Sequence, residues 1–212
     1  MLDLILPAGA AWAQVLDDRD APALLPQEAA LTRDMAPGRL REFTTVRGCA
    51  RQALARLGEP PGPILPGPRG EPRWPAGVVG SMTHCAGYRA AAVARRSELP
   101  TLGIDAEPHR ALDPGVLTAV SLPQERTRLA ALRLRSPGIH WDRLLFSVKE
   151  SVFKAWYPLT SRPLGFEEAD VSLFPDGRWH AHLRVLGPAP RGFAGRWLST
   201  GPLLLTATAE PL

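Results

Sequence analysis

Asp105, Glu107, Glu150 and Lys154 are the residues whose types and spacing could do chemistry. The first two alternate in an extended apolar stretch, Leu102-Gly103-Ile104-Asp105-Ala106-Glu107, which stops at Pro108. Side chains two apart on a strand share a face, with Cα atoms about 6.6 Å apart. Two carboxylates so placed repel unless something positive lies between them. A hard divalent cation answers that need, and so do solvent and arginine. For an isolated Asp-x-Glu pair the second answer is the commoner one. Glu150 adds a third carboxylate, and Lys154 follows it by four residues, on the same helical face. That pair alone is an ordinary surface salt bridge worth about 0.3–0.5 kcal/mol. Three carboxylates with one ammonium are a different set: they can hold Mg2+ on a phosphate while the lysine neutralises charge on a leaving group.

The element that must position Glu150 and Lys154 is a helix running roughly from residue 140 to 156. Leu144, Leu145, Val148, Val152 and Ala155 recur at helical spacing, and Pro158 should forbid much continuation. It carries the only two lysines of the chain, Lys149 and Lys154, every other basic side chain except histidine being arginine. Lysine is a compact, mobile ammonium where arginine is a planar fork, so this placement points to a chemical need.

Upstream, residues 38–57 read as a helix with Leu40, Phe43, Val46, Ala50 and Leu54 on one side and Arg39, Arg41, Arg47, Arg51 and Arg56 on the other. Such a basic face is by default solvated. Residues 59–75 are a Pro- and Gly-rich loop that either covers a site or crosses between elements. Three strands follow, over 77–84, 88–94 and 102–107, in a compact antiparallel arrangement. Helical patterns near 116–120 and from Pro123 precede a break at Ser136-Pro137-Gly138. After the lysine helix, strands at 171–174, 179–186, 193–199 and 203–209 form a β-meander. Residues 1–35 give an apolar, strand-like start and then turns. The expectation is an α+β protein of two similar halves, 1–102 and 103–212, although no internal sequence repeat supports the symmetry.

A chain of 212 residues, 45% hydrophobic and 22% charged, can bury a full core. No apolar run approaches the ~18–20 residues of a membrane span, and the start lacks a basic leader. Cys49 and Cys85 make neither a disulfide framework nor a metal-ligand spacing. These features lead to the expectation of a cytoplasmic protein. A net charge of +4 and a pI of about 9.7 favour an anionic partner. His109, His140, His180 and His182 are read as ordinary hydrogen-bonded histidines.

The stretch Leu102–Glu107, followed by Phe146-Ser147-Val148-Lys149-Glu150-Ser151-Val152-Phe153-Lys154, resembles the paired motifs of the phosphopantetheinyl transferases. Gly80-Ser81-Met82-Thr83-His84-Cys85 is similar to that family's upstream Ser/Thr-His motif, and residues 39–47 resemble the basic helix of its actinobacterial members. The resemblance runs from about residue 38 to 165. It implies two α/β halves related by a pseudo-twofold axis, with the active site at their interface. It also implies transfer of 4′-phosphopantetheine from coenzyme A to a serine of an acyl or peptidyl carrier protein, releasing adenosine 3′,5′-bisphosphate.

Carried over, the resemblance gives Asp105, Glu107 and Glu150 to Mg2+, with Mn2+ as the alternative ion. It gives Glu150 the carrier serine's proton, and Lys154 the pyrophosphate and leaving group, supported by Lys149. His84 with Thr83 is given the 3′-phosphate of coenzyme A, and Arg47, Arg41 and Arg51 the rest of the phosphate pocket. The implied partners are coenzyme A and acidic carrier domains, whose encounter a basic enzyme would speed; no nucleic acid, membrane or second subunit is called for. Glu71, in Gly70-Glu71-Pro72, stands where some relatives have lysine, which speaks against a direct phosphate role for that loop and leaves its backbone free to contact adenine. Two other readings compete. A metal-dependent nuclease uses similar groups, but the four-residue spacing of Glu150 and Lys154 is helical rather than a strand's two. A non-catalytic nucleic-acid module leaves the clustered lysines without a purpose.

Overall fold

The computed structural model describes residues 1–186 and 190–212. Its elements are β1 (Ala11–Val15), α1 (Pro26–Ala29), α2 (Pro37–Arg56), β2 (Val78–Cys85), β3 (Tyr88–Arg95), β4 (Gly103–Pro108), α3 (Pro114–Val120), α4 (Pro123–Arg135), α5 (Trp141–Thr160), β5 (Ala169–Leu173), β6 (Arg178–Leu183), β7 (Gly192–Ser199) and β8 (Leu203–Pro211). Two antiparallel sheets result, in the orders β1-β3-β2 and β4-β8-β7-β6-β5. The fold is thus mixed α and β, with a helix-backed sheet in each half of the chain. Among the described residues no helix is long and apolar enough to cross a membrane.

Alternation along the central strands sorts the core into layers. Ala91 and Val93 of β3 pack with Cys49, Ala50, Ala53 and Leu54 of α2. Their neighbours Ala90, Ala92 and Ala94 turn the other way, into a cluster with Ile104 and Ala106 of β4 and Leu203, Leu205 and Ala207 of β8. On the far side of the second sheet, Leu204 joins Leu144, Leu145, Val148, Val152 and Trp156 of α5. The order is therefore α2, first sheet, second sheet, α5. Strands buried on both faces explain why β3 and β8 read as continuous small or apolar runs rather than as alternating ones.

Three expectations need correction. The strand at 102–107 does not join the two before it: β4 pairs with β8, from Gly103 opposite Thr208 to Pro108 opposite Leu203. It still touches β2 through hydroxyls. Ser81 Oγ accepts from the Ile104 amide (3.0 Å) and Thr83 Oγ1 from the Ala106 amide (3.0 Å). Second, the apolar start forms a 3-10 turn at Leu2–Leu4, and the strand comes later, as β1 on the edge of β3. Third, α5 runs through Pro158 to Thr160. A proline in a final turn removes only one intrahelical bond, and Ser161, in a left-handed conformation (φ 53°), closes the end with its amide on the Tyr157 carbonyl (2.8 Å).

Candidate active site

β4 reaches α5 because its first residue has no side chain. A Cβ on Gly103 would be driven into the Ser151 carbonyl oxygen, with Ala155 just beyond it. Hydroxyls then lock the helix onto the sheet. Thr206 Oγ1 of β8 meets Ser147 Oγ (2.9 Å) and Ser151 Oγ (2.7 Å), and Thr101 Oγ1 donates to the Ala155 carbonyl (2.6 Å). This docking turns Asp105 and Glu107 toward α5. Lys154 Nζ donates to Asp105 Oδ1 (2.7 Å) and to the Ile104 carbonyl (3.1 Å), while Thr83 donates to the same Asp105 oxygen (3.2 Å). Arg143 Nη1 donates to Glu107 Oε2 (2.9 Å) and spends its other N–H groups on the carbonyls of Arg110 and Ala111, which fix the loop after β4.

Burial, and after it the Asp105 charge, hold the Glu107 carboxyl above the ordinary carboxylate range. Burial also raises Glu150; Lys154 opposes that rise and Asp105 adds to it. Asp105 Oδ2 is buried with no hydrogen-bond partner. Three desolvated carboxylates, one with an orphaned oxygen, are the kind of donor set a hard divalent cation takes. As they stand they are not a closed cage: among the described residues no group of three or more His, Cys, Asp or Glu side chains is arranged to hold a metal ion. The positive charge beside Asp105 is Lys154, and that beside Glu107 is Arg143.

Glu150, Phe153, Lys154 and Tyr157 form one wall of a cleft of about 540 Å³, a size suited to a cofactor-sized ligand. The facing wall is Arg39, Phe43, Val46 and Arg47 of α2, spaced at three and four residues. Gly80, Met82 and His84 of β2 and the loop residues Pro66 and Arg69–Pro72 complete it. The Pro-rich loop thus lies over the site, with the Glu71 carboxylate turned back on the Arg69 amide (2.9 Å). Arg47 stacks its guanidinium 3.3 Å from the Phe43 ring centroid and donates through Nε to the Ile64 carbonyl (3.0 Å). Burial pulls its pKa down to about 10, against the pull of Glu28.

Four residues given to the ligand by resemblance face elsewhere. Thr83 is buried and points to β4, because alternation along β2 sends it opposite to His84. Arg51 donates to Glu28 Oε2 (2.7 Å) and to the Ala23 carbonyl, tying down the segment that carries α1. Arg41, two residues from Arg39 and so nearly opposite on the helix, is exposed and outside the cleft. Lys149 is buried against Glu125 (2.8 Å) and the Phe166 carbonyl (2.8 Å). Arg39 is the omission: it lines the cleft and its Nη1 lies 2.5 Å from His84 Nε2. Its spacing of four from Phe43 and eight from Arg47 could have found it.

The order of these parts along the chain has a counterpart among known proteins. Residues 27–94 match the model of the 4′-phosphopantetheinyl transferase N-terminal domain, and residues 101–200 that of the 4′-phosphopantetheinyl transferase superfamily. The chain belongs to this family. It is 55% identical to the 4′-phosphopantetheinyl transferase Svp of Streptomyces mobaraensis, over 99% of this chain and 89% of that protein. It is 47% identical to PptT of Mycobacterium tuberculosis, over 93% and 90%, and 46% identical to Npt of Nocardia iowensis, over 99% of each. All three carry the name 4′-phosphopantetheinyl transferase. The nuclease and nucleic-acid readings find no support in these matches.

Proposed function

We propose that this chain transfers 4′-phosphopantetheine from coenzyme A to a serine hydroxyl of an acyl or peptidyl carrier protein, converting the apo to the holo form and releasing adenosine 3′,5′-bisphosphate. The observation that carries the reading is the cleft itself. One wall offers His84, Arg39 and Arg47 to an anion, and the other brings Glu150 and Lys154 beside Asp105. Coenzyme A has phosphates for both walls.

On this reading residues 1–102 hold the adenosine and 3′-phosphate side, and residues 103–212 the metal and catalytic side. Asp105, Glu107 and Glu150 would hold Mg2+, or Mn2+ in its place, with water and substrate oxygens completing the set. A bound cation of this kind supplies charge neutralisation on the pyrophosphate. Glu150, directly or through a water, accepts the proton from the attacking serine Oγ. In the free protein burial raises the Glu150 carboxyl above the ordinary carboxylate range. Lys154 moves from Asp105 toward the leaving bisphosphate as charge develops there. His84, Arg39 and Arg47 grip the 3′-phosphate, and the burial of Arg47 shields its hydrogen bonds from water. The enzyme would work as a cytoplasmic monomer, its net charge of +4 drawing in acidic carrier domains.

The test is to incubate the protein with coenzyme A, Mg2+ and an apo carrier protein and to weigh the carrier. A mass gain of one phosphopantetheine group, dependent on the cation, is expected. An unchanged carrier in the presence of folded protein rejects the reading.

A further inference from the structure

One carboxylate at the anion end of the cleft has no part in the chemistry above. Glu42, one helical turn beyond Arg39, stands among three cationic or titratable side chains. Its Oε2 lies 3.5 Å from His84 Nδ1 and 3.5 Å from Arg39 Nη1, and its Oε1 lies 3.6 Å from Arg89 Nη2. Arg89 is buried and anchored from behind by Asp18 (3.0 Å).

These contacts decide the state of the His84 ring. A guanidinium has no acceptor, so Nε2 must be the accepting nitrogen toward Arg39, and the proton of a neutral ring lies on Nδ1, facing Glu42. Burial, with Arg39 second, holds the ring below the ordinary imidazole pKa, the direction that favours the neutral form, although Glu42 pulls the other way. The other charges that bear on it are Glu42 on the same helix as Arg39, Lys154 on α5 and Arg89 on β3.

A phosphate oxygen offers only lone pairs, so the ring can serve it only through an Nε2–H. A neutral ring could supply that proton by moving it from Nδ1 to Nε2. Nδ1 would then aim a lone pair at the Glu42 carboxylate, which is repulsive. The remaining route is to take a proton from solvent and become an imidazolium, with Nδ1–H on Glu42 and Nε2–H on the phosphate.

We propose that Glu42 is a positioning residue that couples phosphate binding at His84 to uptake of a proton, by closing the neutral route. The inference rests on the assignment of this cleft to coenzyme A. It predicts that affinity for a 3′-phosphate falls as pH rises, because the proton must come from an ever scarcer supply. Release of the bisphosphate product returns the proton to solvent.

The experiment is calorimetric binding of adenosine 3′,5′-bisphosphate at about pH 8, above the ordinary imidazole pKa of about 6.5 and the second phosphate pKa of about 6. Buffers of unlike ionisation enthalpy report the protons taken up. Wild-type protein should take up about one proton. Glu42→Gln should still bind, with uptake falling toward zero, because an amide N–H can face Nδ1 and permit the neutral Nε2–H form. Equal uptake in both proteins, or none in the wild type, overturns the proposal. Failure of the wild type to bind the bisphosphate at all sinks the coenzyme A assignment and this inference with it. Nitrogen-15 shifts of the free wild-type protein give a check that needs no variant: His84 must carry its proton on Nδ1, and an Nε2–H ring contradicts the account.

Discussion

Helix α5 carries two lysine–carboxylate pairs of nearly equal length, Lys149 with Glu125 at 2.8 Å and Lys154 with Asp105 at 2.7 Å. What separates them is whether the carboxylate is used up. Glu125 accepts from the Leu122 amide and Lys149 on one oxygen and from the Val171 amide on the other, and both partners of the ion pair are almost wholly buried. Asp105 gives one oxygen to Lys154 and Thr83 and leaves the other buried without a partner, while Lys154 is 26% exposed at the cleft. A saturated pair is part of the scaffold. A pair with an orphaned oxygen and a partly exposed ammonium is poised to change partners, which is what a phosphate-transfer site requires.

Substitutions can break that distinction. The largest effect should come from Glu150→Gln, which removes the proton acceptor without changing shape. Transfer should fall about 10²–10⁴-fold with an unchanged melting temperature. Lys154→Arg should lower turnover about 10²-fold, because the bulkier planar fork cannot follow the leaving phosphate as an ammonium does; full activity would show that the ammonium geometry is irrelevant. Lys149→Met should do the reverse. It strands the Glu125 carboxylate in the core and should cost about 3–5 kcal/mol of stability, read by denaturant melts, with turnover per folded molecule retained. The smallest contrast lies on α2. Arg47→Ala should raise the KM for coenzyme A, whereas Arg51→Ala should leave KM alone and lower stability modestly, by about 1–3 kcal/mol, chiefly through the loss of its bond to buried Glu28.

Much of this was legible in the sequence because it is local. The lysine helix, the basic helix and the β2–β3 hairpin declared themselves by periodicity, and Gly103-Ile104-Asp105 by its alternation. What escaped was set by distant partners. Nothing near residue 102 states that β4 will pair with β8 across roughly a hundred residues, or that Thr206 will receive Ser147 and Ser151. The family resemblance gave Arg51 and Lys149 to the ligand, and only the fold brings Glu28 and Glu125 to them. Thr83 was misread for a simpler reason. It neighbours His84 in sequence, but a strand sends neighbours to opposite faces.

The central claim is that the Asp105–Lys154 end of α5, with Glu150, does chemistry while the Lys149–Glu125 end only holds the helix. Intact-mass measurement of an apo carrier protein, incubated with coenzyme A and Mg2+ and matched amounts of folded Glu150→Gln or Lys149→Met protein, tests it most directly. The account predicts an unmodified carrier with the first variant and a carrier heavier by one phosphopantetheine group with the second. Modification by Glu150→Gln at the wild-type rate, or none by folded Lys149→Met, would contradict it.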